Sequence, residues 1–291
     1  MLNFFRKRWK IICGELTFAE LFLSYKKEKF PEIAKSTQNG YLMAYKHAAR
    51  LHDMIFTEIK LSDLSAVIRD VKNKGKGYST QKKVKVLFMQ LYYFAIVNER
   101  TEKDYSRYVK IGRNVPTLPR IPFSEEEIKN LFEHVTEDET IETILIMIYS
   151  GIRVGELRNL KKADIHLSER YFIVTESKTE AGRNRIVPIN KKIVPYIEKR
   201  MHNVGEYLLL NCFKTKISYT SYAKKFKKTC KHLGMDHYPH DCRHTAATLL
   251  SNAEANPVSI KRILGHASKD VTEKVYTHKD LRELMKAIDL I

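Results

Sequence analysis

The sequence predicts a mostly α-helical protein of two domains, with a small antiparallel β insert in the second. Three observations carry that expectation. Three prolines crowd the segment RNVPTLPRIP, Arg113 to Pro122, and interrupt any helix. Apolar residues recur at helical spacing on both sides of it, behind recognisable start signals. Two β-branched runs around a Gly-containing turn supply the only strand pattern. The expected division is residues 1–114 as a small helical domain, 115–122 as linker and 123–291 as the larger domain.

In the first domain, Thr17-x-x-Glu20 is a capping box ahead of the apolar stripe Phe18, Leu21, Phe22 and Tyr25. Further helices are expected over about Ser36–Met54, Leu61–Lys72 and Thr80–Asn98. In the second domain, Ser124-x-x-Glu127 is another capping box, and a buried helix near Ile141–Tyr149 should stop at Gly151. Tyr171–Thr175 and Arg185–Ile189 then read as strands joined by Glu176–Asn184, and everything from Ser218 onward reads as helical, closing with Asp280–Ile291.

Composition narrows the partner. No apolar run approaches the roughly 20 residues of a membrane-spanning helix, and the basic start MLNFFRKRWKIICG does not read as a secretory leader. Four cysteines without a C-x-x-C pair suit reduced thiols, and the protein reads as cytoplasmic and associated with the nucleoid. A net charge of +18 points to a polyanion, and nucleic acid is the first candidate. Residues 1–114 hold 23 basic and 11 acidic side chains against 29 and 23 in the remainder, so the first domain is the stronger phosphate grip. From Tyr207 to Met235 there are seven lysines and no acids, a further phosphate-facing stretch. Gly75-Lys76-Gly77-Tyr78 does not match a nucleotide-binding phosphate loop.

Chemistry concentrates in three distant segments: SGIRVGEL (150–157), HDCRHT (240–245) and LGH-x9-YTH (264–278), with the hairpin SKTEAGRNRIVPI (177–189) between them. In that order they resemble the tyrosine recombinase, or phage integrase, family, most closely in motif the integrases of conjugative transposons and phages of Gram-positive bacteria. The resemblance implies a core DNA-binding domain at 1–114 and a catalytic domain at 123–291 that together clamp duplex DNA. It implies strand cutting and rejoining through a 3′-phosphotyrosyl intermediate, without metal, ATP or other cofactor. Integration or excision of a mobile element is the expected use. The alternatives are a resolvase-like recombinase for chromosome or plasmid dimers, a type IB topoisomerase activity, and a catalytically silent DNA-binding regulator.

Position by position, the resemblance implies Arg153 as first arginine, Lys178 as hairpin lysine, His240 and Arg243 as the H-x-x-R pair, His266 as second histidine and Tyr276 as nucleophile. The residue types suit the task. Two guanidinium forks can hold the non-bridging oxygens of a phosphodiester without losing charge. A phenol titrating near pH 10 needs a cationic cluster and a base, for which His240 is the first candidate. Lys178 on a long stem can protonate the departing 5′ oxygen, and His266 can hydrogen-bond the scissile phosphate. Arg183 and Arg185 are rivals to Lys178, otherwise DNA-backbone contacts or solvated charges, while His244 and His278 read as structural.

Two further expectations concern metal and assembly. Cys230, His232, His237, His240, Cys242 and His244 lie within fifteen residues, but their spacing is not that of a zinc site, and Cys230 completes an apolar stripe with Tyr222 and Phe226. Leu281, Leu284, Met285, Ile288 and Ile291 form a terminal apolar stripe. It is expected to dock on its own domain or, as the resemblance implies, into a neighbouring protomer of a tetramer on DNA. Accessory DNA-bending or excision factors are further expected partners. Residues 1–16 leave no room for the extra N-terminal arm-binding domain common in such integrases, so the chain is either a short member or begins inside a longer protein.

Overall fold

The computed structural model describes residues 15–115, 121–177, 182–266 and 278–291. The chain divides into two compact units, Met1–Thr117 and Leu118–Ile291.

The first unit is built from α1 (Phe18–Lys29), α2 (Lys35–His47), α3 (Leu61–Asn73) and α4 (Tyr78–Val97). Helix α1 starts where the capping box places it. The Glu20 N–H donates to Thr17 Oγ1 at 3.2 Å, and the Thr17 N–H donates to Glu20 Oε2 at 2.8 Å. Its stripe Phe18, Leu21, Phe22 and Tyr25 is buried against α4, the long apolar helix that also packs on α2 and α3. The helix expected over Ser36–Met54 ends at His47 instead. There the chain turns through Ala49–Leu51 so that the His52 ring can stack on Tyr45, 3.9 Å between centroids, while Tyr45 stacks on Phe22 at 4.0 Å. Aromatic packing outweighs helical continuation at this point.

The second unit has α5 (Glu125–Glu133), α6 (Glu139–Ser150), α7 (Val154–Asn159), β1 (Ile165–His166), β2 (Tyr171–Val174), β3 (Arg185–Pro188), α8 (Val194–Met201), α9 (Tyr219–His232), α10 (Pro239–Asn252), α11 (Pro257–Leu264) and α12 (His278–Ile288). Helix α6 is its axle. Every residue from Thr140 to Ser150 is buried, and its broadest packing is against α10. The unbroken apolar run from Ile144 to Ile148 leaves this helix no face for water, and its buried Glu142 is paired with Arg200 at 2.8 Å. The strands form one antiparallel sheet in the order β1-β2-β3, with Phe172 opposite Val187 and Val174 opposite Arg185. Among the described residues no helix is long and apolar enough to cross a membrane.

The terminal helix α12 docks on its own unit. Leu284, Ala287 and Ile288 pack with Leu250, Ala255 and Ile263. Asn190 Nδ2 donates to the carbonyls of Ile288 at 2.6 Å and Ile291 at 2.9 Å, and Arg170 pairs with Asp289 at 2.5 Å.

Gly151 ends α6 at φ +66°, and a Cβ there would sit 2.6 Å from Leu264 Cδ2. Gly151→Ala therefore combines a left-handed backbone penalty with an overpacked contact. It should lower unfolding free energy by about 2–4 kcal/mol, measured by urea titration of the full chain.

Candidate active site

The SGIRVGEL segment leaves α6 through the left-handed turn at Gly151 and places Arg153 as the residue capping α7. Arg153 Nη1 donates to Glu156 Oε1 at 2.8 Å, and Nη2 reaches the Gly265 carbonyl at 3.4 Å. Arg243, one turn into α10, donates through Nη1 to the Gly151 carbonyl at 2.8 Å and through Nη2 to the Leu264 carbonyl. Helix α11 stops at Gly265, φ +60°, and the His266 N–H closes the turn on the Lys261 carbonyl at 3.0 Å. Three segments separated by up to 113 positions thus meet at residues 264–266, where both guanidinium groups hold adjacent carbonyls beside an exposed His266.

His240 stands one turn before Arg243, exposed in the first turn of α10, with its ring edge-on to His244 at 5.1 Å. The positive end of that helix favours an anion at the same place. Lys178 and Tyr276 lie outside the described residues.

Burial and charge shape the cluster. Arg243 is 5% exposed, and desolvation, followed by repulsion from Arg153 and Arg185, brings its pKa down to about 9, so it stays charged at neutral pH. Partial desolvation and then the neighbouring Arg243, Arg153 and Arg185 lower the His266 pKa, which favours the neutral ring. A neutral imidazole can donate one hydrogen bond without adding repulsion.

Two residues at the centre depart from the sequence reading: Glu156, which was given no role, and Arg185, which was given another one. Glu156 is 4% exposed, a burial that alone would raise its pKa. The hydrogen bonds and charge of Arg185, then the Ser177 hydroxyl and the Arg153 N–H, reverse that and bring it to about 2. Arg185 is fully buried. It donates to Glu156 Oε2 at 2.8 Å and Oε1 at 3.1 Å, to the Gly182 carbonyl at 2.8 Å and to the Ile263 carbonyl at 3.0 Å. The expectation that Arg185 contacts DNA or stays solvated is therefore wrong: strand alternation puts it on the inward face with Val187 and Ile189, opposite a buried carboxylate. Arg183, two positions earlier, is exposed. Alternation was the available signal for Arg185, and the i, i+3 spacing from Arg153 was the signal for Glu156.

Within the Cys/His segment, His237 and the two cysteines have other surroundings. His237 stacks on Phe123 at 3.8 Å and meets Glu127 at 3.1 Å. Cys230 and Cys242 are buried free thiols, and desolvation pushes Cys230 up to about 12. Among the described residues no three His, Cys, Asp or Glu side chains come together as a metal-holding group. On α9, Lys224, Lys225, Lys228 and Lys231 are exposed, while Tyr222, Phe226 and Cys230 face the core.

The profile of the phage integrase family matches residues 122–283, which span the whole cluster. The chain belongs to that family. Its activity class is site-specific DNA recombination by the tyrosine mechanism. It is similar to tyrosine recombinase XerA of Pyrococcus furiosus, 27% identical over 84% of this chain and 87% of that one. It is also similar to the transposase of transposon Tn916 from Enterococcus faecalis, 24% identical over 92% and 75%. The fold is that of the Tn1549 transposon integrase solved with transposon right end DNA, at TM-score 0.74 and 21% identity over 93% of this chain and 99% of that one.

Glu156→Gln leaves Arg185 as an unpaired buried charge and should cost about 3–5 kcal/mol at pH 7. Because the folded-state pKa of Glu156 is depressed, its contribution is complete above the unfolded value of about 4.5 and disappears as pH falls toward 2. The stability gap between wild type and variant, read from urea titrations across pH 7 to 2.5, should therefore narrow below about pH 4.5.

Proposed function

We propose that Arg153, Lys178, His240, Arg243, His266 and Tyr276 form the catalytic set of this recombinase, and that it integrates or excises a mobile element. The observation that supports this most is the meeting of Arg153, Arg243 and His266 at the turn 264–266. Two charged forks and an imidazole there suit the charge that builds on the two non-bridging oxygens of a phosphodiester under attack.

In this reading the Tyr276 oxygen attacks phosphorus and gives its proton to His240, while the bond from phosphorus to the 5′ oxygen breaks and Lys178 protonates that oxygen. Arg153, Arg243 and His266 stabilise the charge on the non-bridging oxygens. A 3′-phosphotyrosyl link and a free 5′ hydroxyl result. One phosphoester replaces another, so a 5′ hydroxyl from a second duplex can reverse the step without an energy source. The similarity to a transposase and a transposon integrase supports the mobile-element use.

Duplex DNA is the partner, gripped by the basic first unit and the exposed lysines of α9. With one nucleophile per chain and four strands to exchange between two duplexes, the working assembly is a tetramer. Passing α12 from its own groove to the equivalent groove of a neighbour would link the four protomers head to tail.

Tyr276→Phe should bind site DNA normally yet form no SDS-stable adduct on a nicked suicide duplex; an adduct from that variant would remove Tyr276 from its role. Arg153→Ala and Arg243→Ala should each slow cleavage on the order of 10² to 10³ while retaining binding, and cleavage by the wild type should persist in excess EDTA. Removal of Asp280–Ile291 should spare single-site binding and abolish the two-duplex complex in a native gel. Retained synapsis, or unfolding seen by circular dichroism, would make α12 an ordinary part of its own unit.

A further inference from the structure

The Glu156–Arg185 pair does more than satisfy two buried charges, because each partner also holds one foot of the turn that leaves β2 and returns to β3. On the outgoing side, the Ser177 hydroxyl donates to Glu156 Oε1 at 2.6 Å. On the returning side, Arg185 Nη1 donates to the Gly182 carbonyl at 2.8 Å. The strand ladder ends just inside these two points, at Val174 opposite Arg185, with a last bond from the Asn184 N–H to the Val174 carbonyl at 2.7 Å. Thr175 and Glu176 are exposed, so between Val174 and the turn the Ser177 hydroxyl is the contact that reaches the interior. The same carboxylate oxygen accepts from Arg153 Nη1 at 2.8 Å. One atom, Glu156 Oε1, therefore ties the outgoing foot of the turn to the first phosphate-clamping arginine.

We infer that Ser177 and Arg185 are positioning residues that set the reach of Lys178 relative to the Arg153 clamp, Ser177 by holding the residue bonded directly to Lys178 and Arg185 by holding the other foot and the carboxylate itself. The inference rests on the reading of Lys178 as general acid. Its physical basis is short tether length. Lys178 follows Ser177 directly in the chain, so the placement of Ser177 fixes where the lysine's backbone begins. A misplacement of about 1 Å at a reacting group can cost on the order of 10²-fold in rate. Arg185 is placed with little freedom. A Cβ on Gly265 would come within 2.9 Å of Arg185 Cδ, so the glycine before His266 is what admits the guanidinium to this position.

The test separates proton delivery from general loss of structure. Single-turnover cleavage is measured on nicked suicide duplexes carrying either the ordinary 5′ oxygen or a 5′-bridging sulfur, which leaves as a thiolate and needs no proton. Full-length wild type, Lys178→Ala, Ser177→Ala, Ser177→Thr, Arg185→Lys and Arg153→Ala are compared, each with its thermal midpoint. Ser177→Ala should be about 10- to 100-fold slow on oxygen and within a few-fold of wild type on sulfur, with Ser177→Thr close to wild type on both because it keeps the hydroxyl. Arg185→Lys should follow Ser177→Ala, while Arg153→Ala should stay slow on both substrates. If Lys178→Ala is not restored by sulfur, the general-acid reading fails and takes this inference with it. If Lys178→Ala is restored but Ser177→Ala is either as fast as wild type on oxygen or equally slow on both substrates, the positioning role alone is overturned.

Discussion

A carboxylate with almost none of its surface in contact with water stays ionised only if the protein replaces the lost solvent, and at Glu156 that replacement is Arg185. The bidentate fork answers both carboxylate oxygens, the Ser177 hydroxyl and the Arg153 N–H take further lone pairs, and two more Arg185 donors go to the Gly182 and Ile263 carbonyls, so that each guanidinium nitrogen has a partner. The pair is thus fully hydrogen-bonded, the condition under which a buried ion pair is tolerated. Three parts of the site are fastened to it. The α7 cap and the β2–β3 turn contribute two bonds each to this one pair, and the end of α11 contributes one.

Two left-handed glycines make the convergence possible. Gly151 turns the chain out of α6 so that its carbonyl can accept from Arg243, and Gly265 ends α11 so that the preceding carbonyl can do the same. The side chain of Leu264 fills the space above Gly151, and that of Arg185 fills the space above Gly265. Each glycine is therefore required twice, for its backbone angle and for the neighbour that occupies the place of its absent side chain. Arg243 then spans both turns with one guanidinium, which locks the two segments in register.

The parts of this arrangement written in local signals were legible in the sequence. Thr17-x-x-Glu20 and Ser124-x-x-Glu127 begin helices as capping boxes do, Gly151 and Gly265 end them, and alternation around the hairpin marks β2 and β3. The early end of α2 was not legible, because it follows from the stacking of His52 on Tyr45, a contact invisible to helical periodicity. Arg185 was misread for a related reason. An arginine in a turn-rich basic segment is ordinarily solvated, and only the buried carboxylate opposite it, 29 positions earlier, changes that balance. Glu156 sat inside a recognised motif without an assigned role: its i, i+3 spacing from Arg153 was visible, but the arginine that closes on it lies 29 positions further along the chain.

The sealed position of Arg185 also bears on how salt governs DNA affinity. The affinity of a basic protein for a duplex falls with ionic strength in proportion to the number of phosphates its cations neutralise, because each such contact releases a condensed counterion. Arg185 has no exposed surface, and its charge is already matched by Glu156. It releases no counterion, although Arg153 and Arg243 stand close to it. In the proposed mode of binding the salt slope counts the exposed lysines of α9 and the first unit, while Glu156 and Arg185 are held to each other by a bond that the ionic atmosphere does not reach.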